Sequence, residues 1–157
     1  MPQTATQKPL YDRDFNLWVE DTVAILKTRQ FDQLDLDNLI EEVEGLTRRD
    51  KRELKSRLRV LLNHLLKRGY VDFPDSFRGW EATIREQRSE LQLLLEQSPS
   101  LKSYFVAALD ESWKYALSIA KKDYPSVSFP EQCPFPSTIE ALLSQDFWQD
   151  DDLGTEL

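Results

Sequence analysis

An all-α fold, a single-domain antiparallel helical bundle of about five main helices, is predicted by three features of this 157-residue sequence. Apolar residues recur at three- and four-residue spacing over long stretches, and no run alternates with the period of two that strands require. Only four glycines and eight prolines interrupt the chain, with the prolines confined to the start, the joints and the last third. With 40% hydrophobic and 11% aromatic residues, the chain has the material for a core and does not read as disordered over most of its length.

The first helix is predicted from Asp12 to Thr28, where Phe15, Trp18, Val19, Thr22, Val23 and Leu26 fall on one side and Asp12 or Asp14 caps the start. After a connector over 29–35, a second, short helix carries Leu36, Leu39, Ile40, Val43 and Leu46 and ends near Gly45 or Thr47. The third runs from about Arg48 to Arg68, because Leu54, Leu58, Leu61, Leu62, Leu65 and Leu66 form one stripe, and Gly69 ends it. Ser76 is the expected cap of a fourth helix to about Gln97, built on Phe77, Trp80, Ile84, Leu91, Leu94 and Leu95. Ser98 as cap and Pro99 in the first turn start a fifth, to about Lys122. Short joints imply antiparallel neighbours. Four prolines between Tyr124 and Pro136, set among Val127, Phe129 and Phe135, read as an extended strap, and Ser137 or Thr138 opens a short terminal helix with Ile139, Leu142 and Leu143. The expected organisation is a disordered lead over 1–10, a bundle over 11–147 and an acidic tail over 148–157.

Charge is unevenly spread. Residues 12–47 hold ten acidic and three basic side chains, residues 48–88 hold six and twelve, and the last eighteen hold six acids and no base. Mutual neutralisation of the acidic second helix and the basic third accounts for this. The alternative is a phosphate-facing strip of Arg48, Arg49, Lys51, Arg52, Lys55 and Arg59. A pI near 4.7 and the absence of a recognition-helix pattern argue against nucleic acid.

Polar residues within apolar arcs mark the candidate site. Gln87 and Arg88 project beside Trp80, Ile84, Leu91 and Leu95, and a buried guanidinium demands a carboxylate, for which Glu41, Glu42 or Glu44 is the expected source. Glu53, Arg57, Val60, His64 and Lys67 form a second line at three- and four-residue steps. Asn38, Glu41, Glu42, Glu44, Arg57, His64, Lys67, Gln87 and Arg88 are therefore expected along one interhelical seam edged by Trp18 and Trp80. Such a seam is either an ionic network that fixes packing or a site for a small ligand. No catalytic residue is assigned, because His64 has neither a nucleophile nor an oxyanion-stabilising loop beside it. No metal or other cofactor is expected: Glu41, Glu44 and His64 have ligand chemistry, but paired Glu-x-x-His steps are missing. Cys133, the one cysteine, excludes an internal disulfide, lacks cations that would activate a thiol, and reads as a small hydrophobe. No apolar run approaches the roughly 18 residues of a membrane span, and the start has no signal-peptide pattern, so a cytoplasmic location is expected.

Several stretches together resemble a known family. They are Tyr11 to Trp18 (YDRDFNLW), Asn38 to Glu44 (NLIEEVE), Ser56 to Lys67 (SRLRVLLNHLLK), Ser76 to Trp80 (SFRGW), Ile84 to Arg88 (IREQR), Ser98 to Leu101 (SPSL) and Phe129 to Pro134 (FPEQCP). In order and spacing they resemble the bacterial, mainly cyanobacterial, family called domain of unknown function 29, from Tyr11 to about Phe147. Thr47 stands where the family usually has glycine. The resemblance implies an all-helical fold and makes the polar positions a family trait, but it carries no reaction, cofactor or partner. The expected role is a non-catalytic helical module that binds a protein partner or itself. The alternatives are a ligand-binding protein or enzyme at the Glu41, Arg57, His64 and Arg88 seam, and nucleic-acid binding by the Arg48 to Arg59 face.

Overall fold

The computed structural model describes residues 3–148, which form six α-helices and a 3₁₀ turn, with no β-strand among the described residues. In chain order they are α1 (Gln3–Arg13), α2 (Phe15–Lys27), the 3₁₀ turn Phe31–Gln33, α3 (Leu36–Tyr70), α4 (Pro74–Gln97), α5 (Leu101–Asp123) and α6 (Ile139–Ser144). Where the sequence places a single bundle over 11–147, the chain divides into two compact units, Met1–Arg49 and Asp50–Leu157. Residues 149–157, most of the expected acidic tail, lie outside the described residues, as do Met1 and Pro2.

Polar side chains organise the N-terminal unit. Helix begins at Gln3, inside the stretch read from the sequence as a disordered lead. Its anchor is Gln7, 1% exposed, whose amide donates to Thr22 Oγ1 at 3.1 Å and Asp21 Oδ2 at 3.3 Å while its carbonyl accepts from the Asp35 N–H. Nothing in hydrophobic periodicity signals such a contact. Tyr11 packs edge-on against Trp18 and donates its hydroxyl to Glu42. Asp14 caps α2 by accepting from the Leu17 N–H at 3.1 Å. At the other end, Arg29 takes a left-handed φ of 58°, which lets its N–H reach Leu26 O and the next N–H reach Ile25 O, so two carbonyls of the last turn are satisfied.

Two sequence expectations change here. Trp18, Thr22 and Ile25 are the buried face of α2, whereas Phe15, Val19, Val23 and Leu26 remain exposed. The joint expected near Gly45 or Thr47 does not exist: the second and third predicted helices are one 35-residue helix, α3. Gly45 has no positive φ, so it serves as an ordinary, if costly, helical residue. Charges before the supposed joint grip charges after it, with Arg48 on Glu41 at 2.7 Å and Glu44 at 3.7 Å, and Arg49 on Glu42 at 3.2 Å.

In the C-terminal unit, leucines dominate. Leu54, Leu58, Leu61, Leu62, Leu65 and Leu66 are fully buried against Ile84, Leu91 and Leu95 of α4 and Phe105, Trp113 and Ala116 of α5. Helix directions follow from the side-chain pairs. Arg57 meets Gln87 and Arg68 meets Glu81, so residue numbers descend along α4 as they rise along α3, and the two helices are antiparallel. Lys55 meets Glu111 and Asn63 meets Ala116, so α5 runs parallel to α3, completing an up-down-up arrangement.

Two helix starts shift from their predicted positions, α4 beginning three residues earlier and α5 two residues later. Pro74 occupies the first turn of α4 with Phe73 as its cap residue, which suits a residue that has no N–H to donate. Ser98 and Pro99 form a turn whose carbonyls accept from the Leu101 and Lys102 N–H groups before α5 begins. α3 runs one residue beyond Gly69. The strap seats Phe129 and Phe135 in the core, and Phe135 packs edge-on against Trp113. α6 then rests against α4 and α5.

Gly45→Ala tests the continuity of α3. An added Cβ meets only the guanidinium ends of Arg48 and Arg49, at an ordinary 3.6 Å. Urea denaturation is expected to show stabilisation of roughly 0.5–1 kcal/mol, whereas a glycine-dependent joint gives destabilisation.

Candidate functional site

The residues of the predicted seam fall in both units, and each has local work. In the N-terminal unit Asn38 donates to Asp35 at 2.6 Å, Glu41 and Glu44 hold Arg48, and Glu42 accepts from Tyr11 and Arg49. The Glu42 carboxylate holds the Tyr11 phenol above its ordinary value. Trp18, an expected edge of the seam, is 2% exposed and packs on Tyr11 and Phe15.

In the C-terminal unit Arg57 and Gln87 do come together, at 3.2 Å, with Glu53 bridging the same guanidinium at 2.9 Å. The Lys67 ammonium lies 5.6 Å over the Trp80 ring. Arg88 corrects the sequence expectation. Its partners are in α6 and the residues after it, not Glu41, Glu42 or Glu44: Nε donates to Leu142 O at 2.9 Å, Nη2 to Gln145 O, and Asp146 lies 3.6 Å away. The last-turn carbonyls of any helix lack intrahelical donors, and one buried guanidinium satisfies two of them here.

His64 occupies a different place. Its Nδ1 lies 2.9 Å from Val60 O, one turn back in α3, which fixes the proton on that nitrogen and leaves Nε2 as the acceptor. Burial pushes the imidazole below its usual value and Lys67 adds to this, against the opposing pull of the Val60 carbonyl. The ring lines a groove of about 270 Å³ between α3 and α5 with Ser56, Arg59, Asn63 and Tyr115. A larger groove of about 560 Å³ runs between α5 and the strap, where Cys133 is exposed rather than packed as a small hydrophobe, and Asp110 and Lys114 line it as an ion pair at 3.1 Å. Among the described residues no group of three or more His, Cys, Asp and Glu side chains is placed to hold a metal ion.

Most of the basic strip has intramolecular partners. Arg48 and Arg49 are held by glutamates of their own helix, Lys55 and Arg59 share Glu111, and Lys51 lies over Tyr104. Arg59 also stacks on Tyr115 at 4.1 Å. Sequence reasoning missed Arg68, which sits 3.9 Å from the Phe77 ring centre and 4.9 Å from that of Trp148 while pairing with Glu81 at 2.7 Å. Only the three-dimensional meeting of α3, α4 and the C-terminal segment distinguishes it from its basic neighbours.

Most of the exposed large apolar side chains among the described residues belong to the N-terminal unit. Leu36, Ile40, Val43 and Leu46 are 57%, 46%, 56% and 55% exposed and fall on one side of α3. Phe15, Val19, Val23 and Leu26 form a comparable exposed row on α2. The sequence marks both rows as apolar faces, and their spacing alone gives no reason to leave them uncovered.

The family model described as "Domain of unknown function DUF29" matches residues 10–148. The chain belongs to that family. No curated protein and no solved structure matches it. The DUF29 match takes in both exposed rows, every residue of the predicted seam and the strap, and leaves out the first turns of α1 with Gln7. Among the described residues of this DUF29 chain no helix is long and apolar enough to cross a membrane.

Two measurements test these assignments. Arg88→Met removes the donors that hold the end of α6, so hydrogen exchange at Leu142 to Gln145 is expected to accelerate and stability to fall by about 1–3 kcal/mol. His64 carries a lowered pKa in the folded state, so the unfolded chain binds the extra proton first. Its contribution to stability is complete above the ordinary value of 6.5 and is lost as pH falls through and below that value. Urea titrations of His64→Gln are expected to show a shallower loss of stability over that acid range than the parent chain.

Proposed function

We propose that this chain is a non-catalytic helical interaction module, cytoplasmic as its single cysteine suggests, that docks protein through the apolar side of its N-terminal unit. The observation that carries this reading is the row Leu36, Ile40, Val43 and Leu46, each roughly half exposed on one face of α3. Monomeric proteins rarely leave more than a few hundred Å² of contiguous apolar surface in water, and larger patches mark association surfaces. The row has the three- and four-residue spacing through which one helix packs against another.

The chemistry of the polar residues supports the same reading. Arg88 is engaged by the end of α6, Arg57 by Glu53 and Gln87, and Lys67 by Trp80, so these groups work for the fold. Intramolecular partners for Arg48, Arg49, Lys51, Lys55 and Arg59 weigh against a strip reserved for phosphates.

Affinity capture and sedimentation velocity of the parent chain and the Ile40→Asp/Val43→Asp variant test the proposal. Loss of self-association, or of a captured protein, in the double variant is expected, with Leu93→Asp, at an exposed leucine of α4, retaining it. Both substitutions lie on exposed helix surface, so circular dichroism is expected to show an intact fold. Identical captured proteins and an unchanged monomer in all three chains would sink the idea.

A further inference from the structure

The carboxylates beside the apolar row of α3 give that surface a sign. Asp37, Glu41 and Glu44 follow Leu36, Ile40 and Val43 one residue later, so a line of acids runs beside the apolar line from Leu36 to Val43. Glu42 lies toward the other edge, beside Tyr11. Residues 1–49 contain ten acidic and six basic side chains, and two of the six, Arg48 and Arg49, are held by Glu41, Glu44 and Glu42. Glu41 and Glu44 nevertheless keep 60% and 62% of their side-chain surface open to solvent.

We infer that the occupant of this face is a basic amphipathic helix of another protein, an inference that rests on the interaction reading above. From Leu36 to Leu46 the row spans ten helical steps, roughly 15 Å at the α-helical rise. Leu36 and Val43, and likewise Leu39 and Leu46, are seven residues apart, the repeat that seats the knobs of a facing helix. A partner helix with leucine-type anchors on one side and Lys or Arg at its edges covers the row and sets its cations against Glu41 and Glu44.

A second copy of this chain suits the face less well. A two-fold contact between antiparallel copies brings the Glu41 and Glu44 edges together, and a parallel one sets that edge against the edge that carries Glu42. An anionic membrane is unsuitable for the same reason, since interfacial helices border their apolar side with Lys and Arg.

The test uses two synthetic 18-residue amphipathic helices with identical leucine faces, one with lysine and one with glutamate at every other position, titrated calorimetrically into the full chain. The lysine peptide is expected to bind at least tenfold more tightly than the glutamate peptide. Its affinity is expected to fall at least tenfold when salt rises from about 50 to 500 mM, because exposed charges are then screened. Ile40→Asp/Val43→Asp is expected to abolish binding, although it adds negative charge. A purely electrostatic attraction would instead strengthen in that variant, and that result overturns the inference. So does equal affinity for the two peptides, or no binding of either. If sedimentation shows a dimer that the double variant dissolves while the lysine peptide does not bind, a second copy is the occupant: the interaction reading stands and this inference falls. Monomers throughout, with neither peptide bound and the same captured proteins on the parent chain and the double variant, remove both.

Discussion

Burial of one leucine stripe underlies the C-terminal unit. Leu54, Leu58, Leu61, Leu62, Leu65 and Leu66 lie on the side of α3 that faces α4 and α5, and all six are removed from water. Each such side chain contributes about 1.5–3 kcal/mol relative to exposure, more than any single ion pair at the surface of this protein supplies. The strap and α6 are secondary to that packing. Phe129 and Phe135 are buried against the three helices, and Arg88 of α4 fastens the end of α6 through two carbonyl oxygens. A cation on α4 is thus spent on ending a helix more than fifty residues away in sequence.

The N-terminal unit is built on a different balance. Its buried side chains include Gln7, Thr22 and Asp35 beside Trp18 and Ile25, and hydrogen bonds among Gln7, Asp21, Thr22 and Asp35 tie α1 to α2 and to the start of α3. Directional polar contacts of this sort fix relative position without consuming apolar surface. That leaves leucine, isoleucine, valine and phenylalanine side chains of α2 and α3 in water, an arrangement that is costly unless something else covers them. Closed core and open apolar surface are therefore divided: the leucine stripe of α3 closes a core, while the apolar row at the other end of the same helix stays open.

Electrostatics follows the same division. Acidic and basic blocks do neutralise one another, as their sequence suggests, but the pairing of Arg48 and Arg49 runs along α3 and bridges the residues where a joint was expected. Those bonds favour a continuous helix through Gly45, a residue that by itself weakens one. Further along, Lys55 and Arg59 converge on Glu111 of α5, so much of the basic block is spent on the helix packing of its own unit. His64 is left facing a small groove as a neutral ring, its proton directed to its own helix.

The all-helical fold, the leucine core and the strap were legible in the chain because periodicity and proline placement act locally, and each is visible within a window of a few turns. Asp14 as a cap and Thr138 at the start of the last helix were legible for the same reason. Three features were decided only by tertiary structure. The partner of Arg88 depended on where a helix after a proline-rich strap comes to rest, which no spacing encodes. The helical state of residues 3–10 depended on Gln7 finding Thr22 and the Asp35 N–H, contacts between segments that carry no apolar signal. The openness of Leu36, Ile40, Val43 and Leu46 depended on how many faces the other helices cover. Amphipathic spacing states only that a face seeks a nonaqueous neighbour, and the fold determines whether that neighbour is the chain itself or another molecule.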